Sequence, residues 1–130
     1  LCIVSDGDGV PHIYDSTIAR HVIMLHAHGN ARRQLNDALA TWCAFDEPPR
    51  LVLSHQTPAD ISGAHNPGGF TDGDRALCLL NLLGIPPEDT KLVGFDHHNI
   101  GKWSGNYDSS LKRRKLRWMR RIVEVLGHGG

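Results

Sequence analysis

The sequence predicts an α/β fold: a mostly parallel sheet with helices on both faces, Rossmann-like, in one domain over residues 1–130. Three observations predict it. Short apolar runs alternate with stretches of helical apolar spacing. Each apolar run closes on polar residues. Proline and glycine then punctuate the chain between elements, as at "GIPP" after residue 83.

Residues 1–5, "LCIVS", form a strand that stops at "DGDG". Residues 21–26, within "HVIMLHAHG", are a second strand, and Asn30 caps the helix that begins near Ala31. Leu35, Ala38, Leu39, Trp42 and Cys43 recur at helical spacing, so 31–45 is that helix. "RLVLSH", 50–55, is a third strand, and the Gly/Pro/Asn-rich stretch 58–70 is a loop. A helix over 72–83 ends at Gly84 and the two prolines behind it. "KLVGFD", 91–96, is a fourth strand. A glycine-rich loop reaches Ser109, and a last amphipathic helix runs to about Leu126. Its inward stripe is Leu111, Lys115, Trp118, Met119, Ile122 and Leu126.

Composition narrows the function. Fourteen Lys and Arg balance fourteen Asp and Glu, so net charge points neither to nucleic acid nor to an acidic lipid surface. No apolar run is long enough to cross a bilayer, and no signal peptide is read at the start. Cys2, Cys43 and Cys78 are widely spaced in apolar context and read as reduced core thiols, which suits a cytoplasmic protein. The chain opens on Leu1 rather than Met, so a piece of a longer protein is expected.

Polar residues that suit a site fall after the strands: Asp6 and Asp8, His26 and His28, His55 and Gln56, and Asp96 to His98. Ligands of open α/β sheets bind outside the carboxyl ends of the strands, so these clusters are expected on one rim. In "SDGDG", two close carboxylates repel by about 1 kcal/mol in water and about 4 at an effective dielectric of 20. A divalent cation relieves that repulsion, and hard oxygens suit Mg²⁺; a solvated turn is the plain alternative.

"GGFTDGDRA", 68–76, starts a helix with more acid than capping needs. Thr71 can cap, and Asp72 suits the positive helix end. The same end can hold Mg²⁺ while free N–H groups face phosphate, with Gly68 and Gly69 letting the backbone come close. Arg75 either screens Asp72 or Asp74 or meets a phosphate, and Asp74 is either a supporting acid or a plain cap. His26 and His28 fall on one side of an extended segment, where contact with phosphate or base fits better than zinc. Lys102, in the loop after Asp96, is a point charge suited to phosphate or a solvated lysine. "KRRKLRWMRR" is a basic solvated face whose first turn, Lys112 or Arg113, can reach a polyphosphate.

Asp-x-Asp-Gly after one strand, "HAHG" after the next, then "GGFTDGDRA", "GFD…IGKWS" and "KRRKL" resemble the archaeal-type 6-hydroxymethyl-7,8-dihydropterin pyrophosphokinase family. The resemblance covers nearly the whole chain, and that family is similar to the thiamine pyrophosphokinases. It implies a Mg²⁺-dependent enzyme that moves pyrophosphate from ATP to the pterin's hydroxymethyl group, in folate-like or methanopterin biosynthesis. By resemblance, Asp6, Asp8 and Asp72 hold the metal, and Arg75 and Lys102, with Lys112, offset phosphate charge. Gly68, Gly69, Thr71, His26, His28 and Asp96 would line the nucleotide and pterin site, with His26 or Asp96 a candidate base. Two departures stand out. No acid follows Gly29, and an upstream glycine-rich loop of the G-x-G-P-S kind precedes the matching region in the family. The chain therefore reads as the C-terminal part of the catalytic domain, and an open sheet edge would favour a homodimer. The partners implied are small molecules, not membrane or nucleic acid. Two other readings stay open. "SDGDG" with "FDHHN" resembles the DHH phosphoesterases, in which Asp6, Asp8, Asp96, His97 and His98 would bind Mn²⁺. A nucleotide- or metal-binding domain without turnover is the third.

Overall fold

The computed structural model describes residues 22–27, 32–100 and 108–128, and the backbone of residues 2–4. The order is β1 (Cys2–Val4), β2 (Val22–His26), α1 (Arg32–Cys43), β3 (Arg50–Ser54), β4 (Ala64–His65), α2 (Asp72–Leu82), a 3₁₀ turn (Pro87–Asp89) and α3 (Ser109–Val125). This is an α/β chain with a small, wholly parallel sheet in the order β1-β2-β3-β4. The described chain divides into two compact units, 1–66 and 67–130.

The first unit holds the sheet. Ile23 pairs with Leu51 and Leu25 with Leu53 in the β2–β3 register. Side chains alternate along a strand, so Ile23 and Leu25 share one face. They form a core with Ala38 and Trp42 of α1, and Leu35, Phe45 and Leu51 pack against it. The helical spacing of 35, 38 and 42 thus turns into the buried face of α1 as expected. Met24 and His26 occupy the opposite face and are also buried.

The second unit holds α2 and α3, which pack on each other. α2 buries Leu77 and Leu79, and α3 buries Leu116 and Met119. α2 ends in a Schellman closure, with Ile85 N–H on the Leu80 carbonyl and Gly84 N–H on that of Asn81. α3 ends the same way, with His128 on Val123 and Gly127 on Glu124. Its start is capped by Asp108, whose carboxylate accepts from the amides of Ser110 and Leu111 at 2.8 and 3.2 Å.

Several expectations change. Residues 91–96 are not a strand. Gly94 has φ +75°, which breaks extended geometry mid-run, and Val93 is 78% exposed rather than laid into a sheet. The fourth strand is instead Ala64–His65, inside the stretch expected to be loop. Cys43 is exposed at the end of α1, and Cys78 is half-buried, so neither is a core thiol. On α3 the buried pair is Leu116 and Met119; Leu111 and Trp118 stand about half exposed. Trp118 stacks on Phe70 instead, ring centroids 5.3 Å apart, and is partnered without being buried.

Candidate functional site

In the first unit, three polar residues stand at the carboxyl ends of β2 and β3. His26 is 2% exposed, with Nδ1 2.9 Å from the Ser54 hydroxyl. Ser54 is buried, and its carbonyl accepts from Ala27 N–H, which extends the ladder one residue past β2. His55 is buried too, bonded through Nδ1 to the Thr57 hydroxyl at 3.2 Å and through its amide to the His65 carbonyl. His26 and His55 thus stand at these strand ends, each held in a hydrogen bond. Asp6, Asp8, His28 and Lys102 lie outside the described residues.

The second unit builds a site around "GGFTDGDRA". Its two acids part company. Asp74 is fully buried, and its carboxylate accepts from the amides of Phe70 at 2.9 Å and Thr71 at 2.6 Å. The Thr71 hydroxyl donates to it as well. This is the backward half of a capping box: the third residue of the helix satisfies the backbone ahead of it. Asp72, one residue into the helix, keeps 65% of its side chain exposed and pairs with Arg75 at 3.4 Å. The Arg75 side chain is almost wholly buried, so of the roles open to it the structure shows the screening of Asp72.

The glycines have local reasons. Gly69 sits at φ +93°, and a Cβ there would lie 2.6 Å from the Arg75 Cα, so no larger residue fits. Gly73 lies under the Phe95 ring, and a Cβ there would meet the ring at 2.8 Å. The bend 94–96 thus seats an aromatic on the first turn of α2. This packing is invisible in the sequence, where Gly73 reads only as a helix-weakening residue.

That seating brings predicted residues together. Thr71, Asp72, Asp96, Asn99 and Lys112 line one open cavity of ≈ 350 Å³. Phe95, Leu116 and Met119 supply its apolar wall. Asp96 is not at a strand end; it closes a turn. One oxygen accepts from the amides of His98 at 2.8 Å and Asn99 at 3.0 Å, and the other from the Asn99 side chain at 2.9 Å. The Asn99 side chain, then these amides, hold the Asp96 carboxyl below its ordinary range. Both Asp96 oxygens are thus engaged within its own turn. The cavity therefore offers one exposed carboxylate at a helix start, a second carboxylate fixed in a turn, and one lysine. Gly68 lies beside Cys78, whose thiol is pushed up by burial and then by the Asp74 charge.

The chain is α/β, with a glycine- and acid-rich turn at the start of α2. No family model and no solved structure matches the chain. Two curated relatives do. The chain is 35% identical to a 6-hydroxymethyl-7,8-dihydropterin pyrophosphokinase of Pyrococcus furiosus, over 98% of its own length and 54% of that protein's. It is 33% identical to the protein of the same name from Methanothermobacter thermautotrophicus, over 98% of its length and 55% of that protein's. The chain spans about half the length of these relatives, and over that span it is similar to proteins named 6-hydroxymethyl-7,8-dihydropterin pyrophosphokinase.

Proposed function

We propose that the chain takes part in transfer of pyrophosphate from ATP to 6-hydroxymethyl-7,8-dihydropterin. The observation that carries this is identity of 33–35% along 98% of the chain to two relatives with that name. The hydroxymethyl oxygen would attack the β-phosphorus of ATP and lose its proton. The bond from that phosphorus to the α,β-bridging oxygen breaks, and AMP leaves with that oxygen. Such transfers depend on positioning and charge neutralisation more than on covalent help from the protein.

Within the ≈ 350 Å³ cavity, Lys112 would place a cation against phosphate oxygens, and Asp96 would keep the 96–99 turn fixed beside them. Asp72, an exposed hard-oxygen donor at the first turn of α2, fits a Mg²⁺ ligand. Asp74 does not, because its oxygens already serve the cap. Mg²⁺ on Asp72, with Asp6 and Asp8 as the further ligands, would neutralise phosphate charge. Thr71 and the glycine turn would orient the nucleotide, and a Rossmann-like, thiamine-pyrophosphokinase-like whole would frame the site.

The phosphoesterase alternative is less favoured. Asp96, one of its ligands, is already bonded within its own turn. The alternative also leaves "GGFTDGDRA" without a role. The test is product identity by phosphorus NMR: ATP, Mg²⁺ and the pterin should yield AMP and a pterin diphosphate. Mononucleotide release from a phosphodiester with Mn²⁺, and no pterin product, would contradict the proposal.

A further inference from the structure

The second unit holds another cavity, of ≈ 560 Å³, along the first turns of α3. His97, His98, Ser109, Ser110, Arg113 and Arg117 line it, with Leu116 beneath. No carboxylate is among these lining residues. Arg113 and Arg117 are one helical turn apart and present their guanidinium groups on the same face. Among the described residues neither is in an ion pair, whereas Arg120 and Arg121, further along, are paired with Glu124 at 2.9 and 3.7 Å. His97 and His98 face each other with ring centroids 4.1 Å apart.

The neighbouring acids are occupied. Asp96 is bonded to His98 and Asn99, and Asp108 caps α3 through Ser110 and Leu111. Because Asp108 takes the first free amides, the helix end itself offers little to an anion; the side chains do. Two guanidinium forks, each shaped for bidentate phosphate contact, lie with two imidazoles along a cavity much larger than one phosphate. We propose that this groove binds the phosphate chain of a small polyphosphate. That the chain is the tail of the nucleotide rests on the pyrophosphokinase reading; the groove's affinity for polyphosphate rests on its own lining.

The experiment is calorimetric titration of the protein with inorganic pyrophosphate at low salt, with EDTA present so that no metal bridges the anion. Arg113→Gln and Arg117→Gln should each weaken binding roughly tenfold, the loss of one charge-assisted contact at a partly exposed site. Arg121→Gln removes the same charge from the same helix outside the groove and should change binding less than about twofold. Absent pyrophosphate binding, or equal loss in all three variants, would overturn the proposal. So would tighter binding of a phosphodiester oligonucleotide than of pyrophosphate. Groove-dependent pyrophosphate binding in a protein that makes no AMP would keep the groove and remove the pyrophosphokinase reading. AMP formation with an unchanged KM for ATP in both groove variants would overturn the groove's nucleotide assignment while keeping the activity.

Discussion

Asp72 and Asp74 are two residues apart, yet their removal should cost the fold very different amounts. Asp74 is fully buried and serves three donors: two amides and the Thr71 hydroxyl. Asp74→Ala strands all three at the start of α2. A hydrogen bond to a charged group contributes about 1.5–3 kcal/mol, but water can reach the partly buried Phe70 and Thr71 amides and recover part of that. Losing a helix cap costs about 1 kcal/mol by itself. Together these predict a loss of about 3 kcal/mol. With an unfolding entropy of about 2.1 cal/mol/K per residue, a chain of 130 residues should then melt about 11 °C lower. Asp72→Asn keeps an acceptor beside Arg75 and gives up one charge at the helix start, worth about 0.3–1 kcal/mol. Its melting point should fall by no more than about 4 °C. Thermal unfolding followed by circular dichroism at 222 nm reads both. An Asp74→Ala melting point within about 2 °C of wild type, or a larger drop for Asp72→Asn, would refute the division of labour between the two acids.

The same geometry bears on the glycines, the thiols and the cap of α3. Gly73→Ala should force Phe95 off the first turn of α2, costing about 1–3 kcal/mol and disturbing the Lys112 cavity; urea unfolding with Phe95 ring NMR shifts would check both. Gly69→Ala, at positive φ and against the Arg75 backbone, should cost more than Gly73→Ala in the same assay. Iodoacetamide should label exposed Cys43 well before half-buried Cys78, whose thiol is pushed up by burial; peptide mapping against time gives the order. Asp108 is held below its ordinary carboxyl range by the Ser110 hydroxyl, then by the Leu111 and Ser110 amides. A lowered folded value means that its contribution is present above the ordinary value and lost as pH falls through the lowered one. Acid fraying of the first turn of α3, followed by Ser110 and Leu111 amide shifts, should therefore be absent in Asp108→Asn.

The sequence makes legible those parts of the fold that rest on local chemistry. The β2 and β3 runs, the buried face of α1, and the capped start of α2 follow from periodicity and from residues adjacent in the chain. The rest depends on contacts distant in sequence. "KLVGFD" has the apolar content of a strand, but Gly94 bends it so that Phe95 can lie on Gly73, twenty-two residues earlier. Two residues, Ala64 and His65, suffice for a strand once Leu53 and Ser54 are there to pair with, and so short a strand has no period to detect. Trp118 falls on the inward stripe by helical spacing, but Phe70 supplies a stacking partner that leaves it half exposed, while Leu116 turns inward. For the site, the acid-rich helix start is evident as a motif. Which acid turns inward is not, because Asp72 and Asp74 differ only in where the helical turn points them. Asn99 has no signal of its own; it joins the cavity by holding Asp96.

Whether these residues serve pyrophosphate transfer to a reduced pterin is read most directly from AMP. The measurement is AMP formed from ATP and Mg²⁺, with and without 6-hydroxymethyl-7,8-dihydropterin, in wild type and in Asp72→Asn. AMP should depend on the pterin and fall by at least about tenfold in the variant, which stays folded. AMP formed equally without the pterin, or pterin-dependent AMP undiminished in Asp72→Asn, would contradict the assignment.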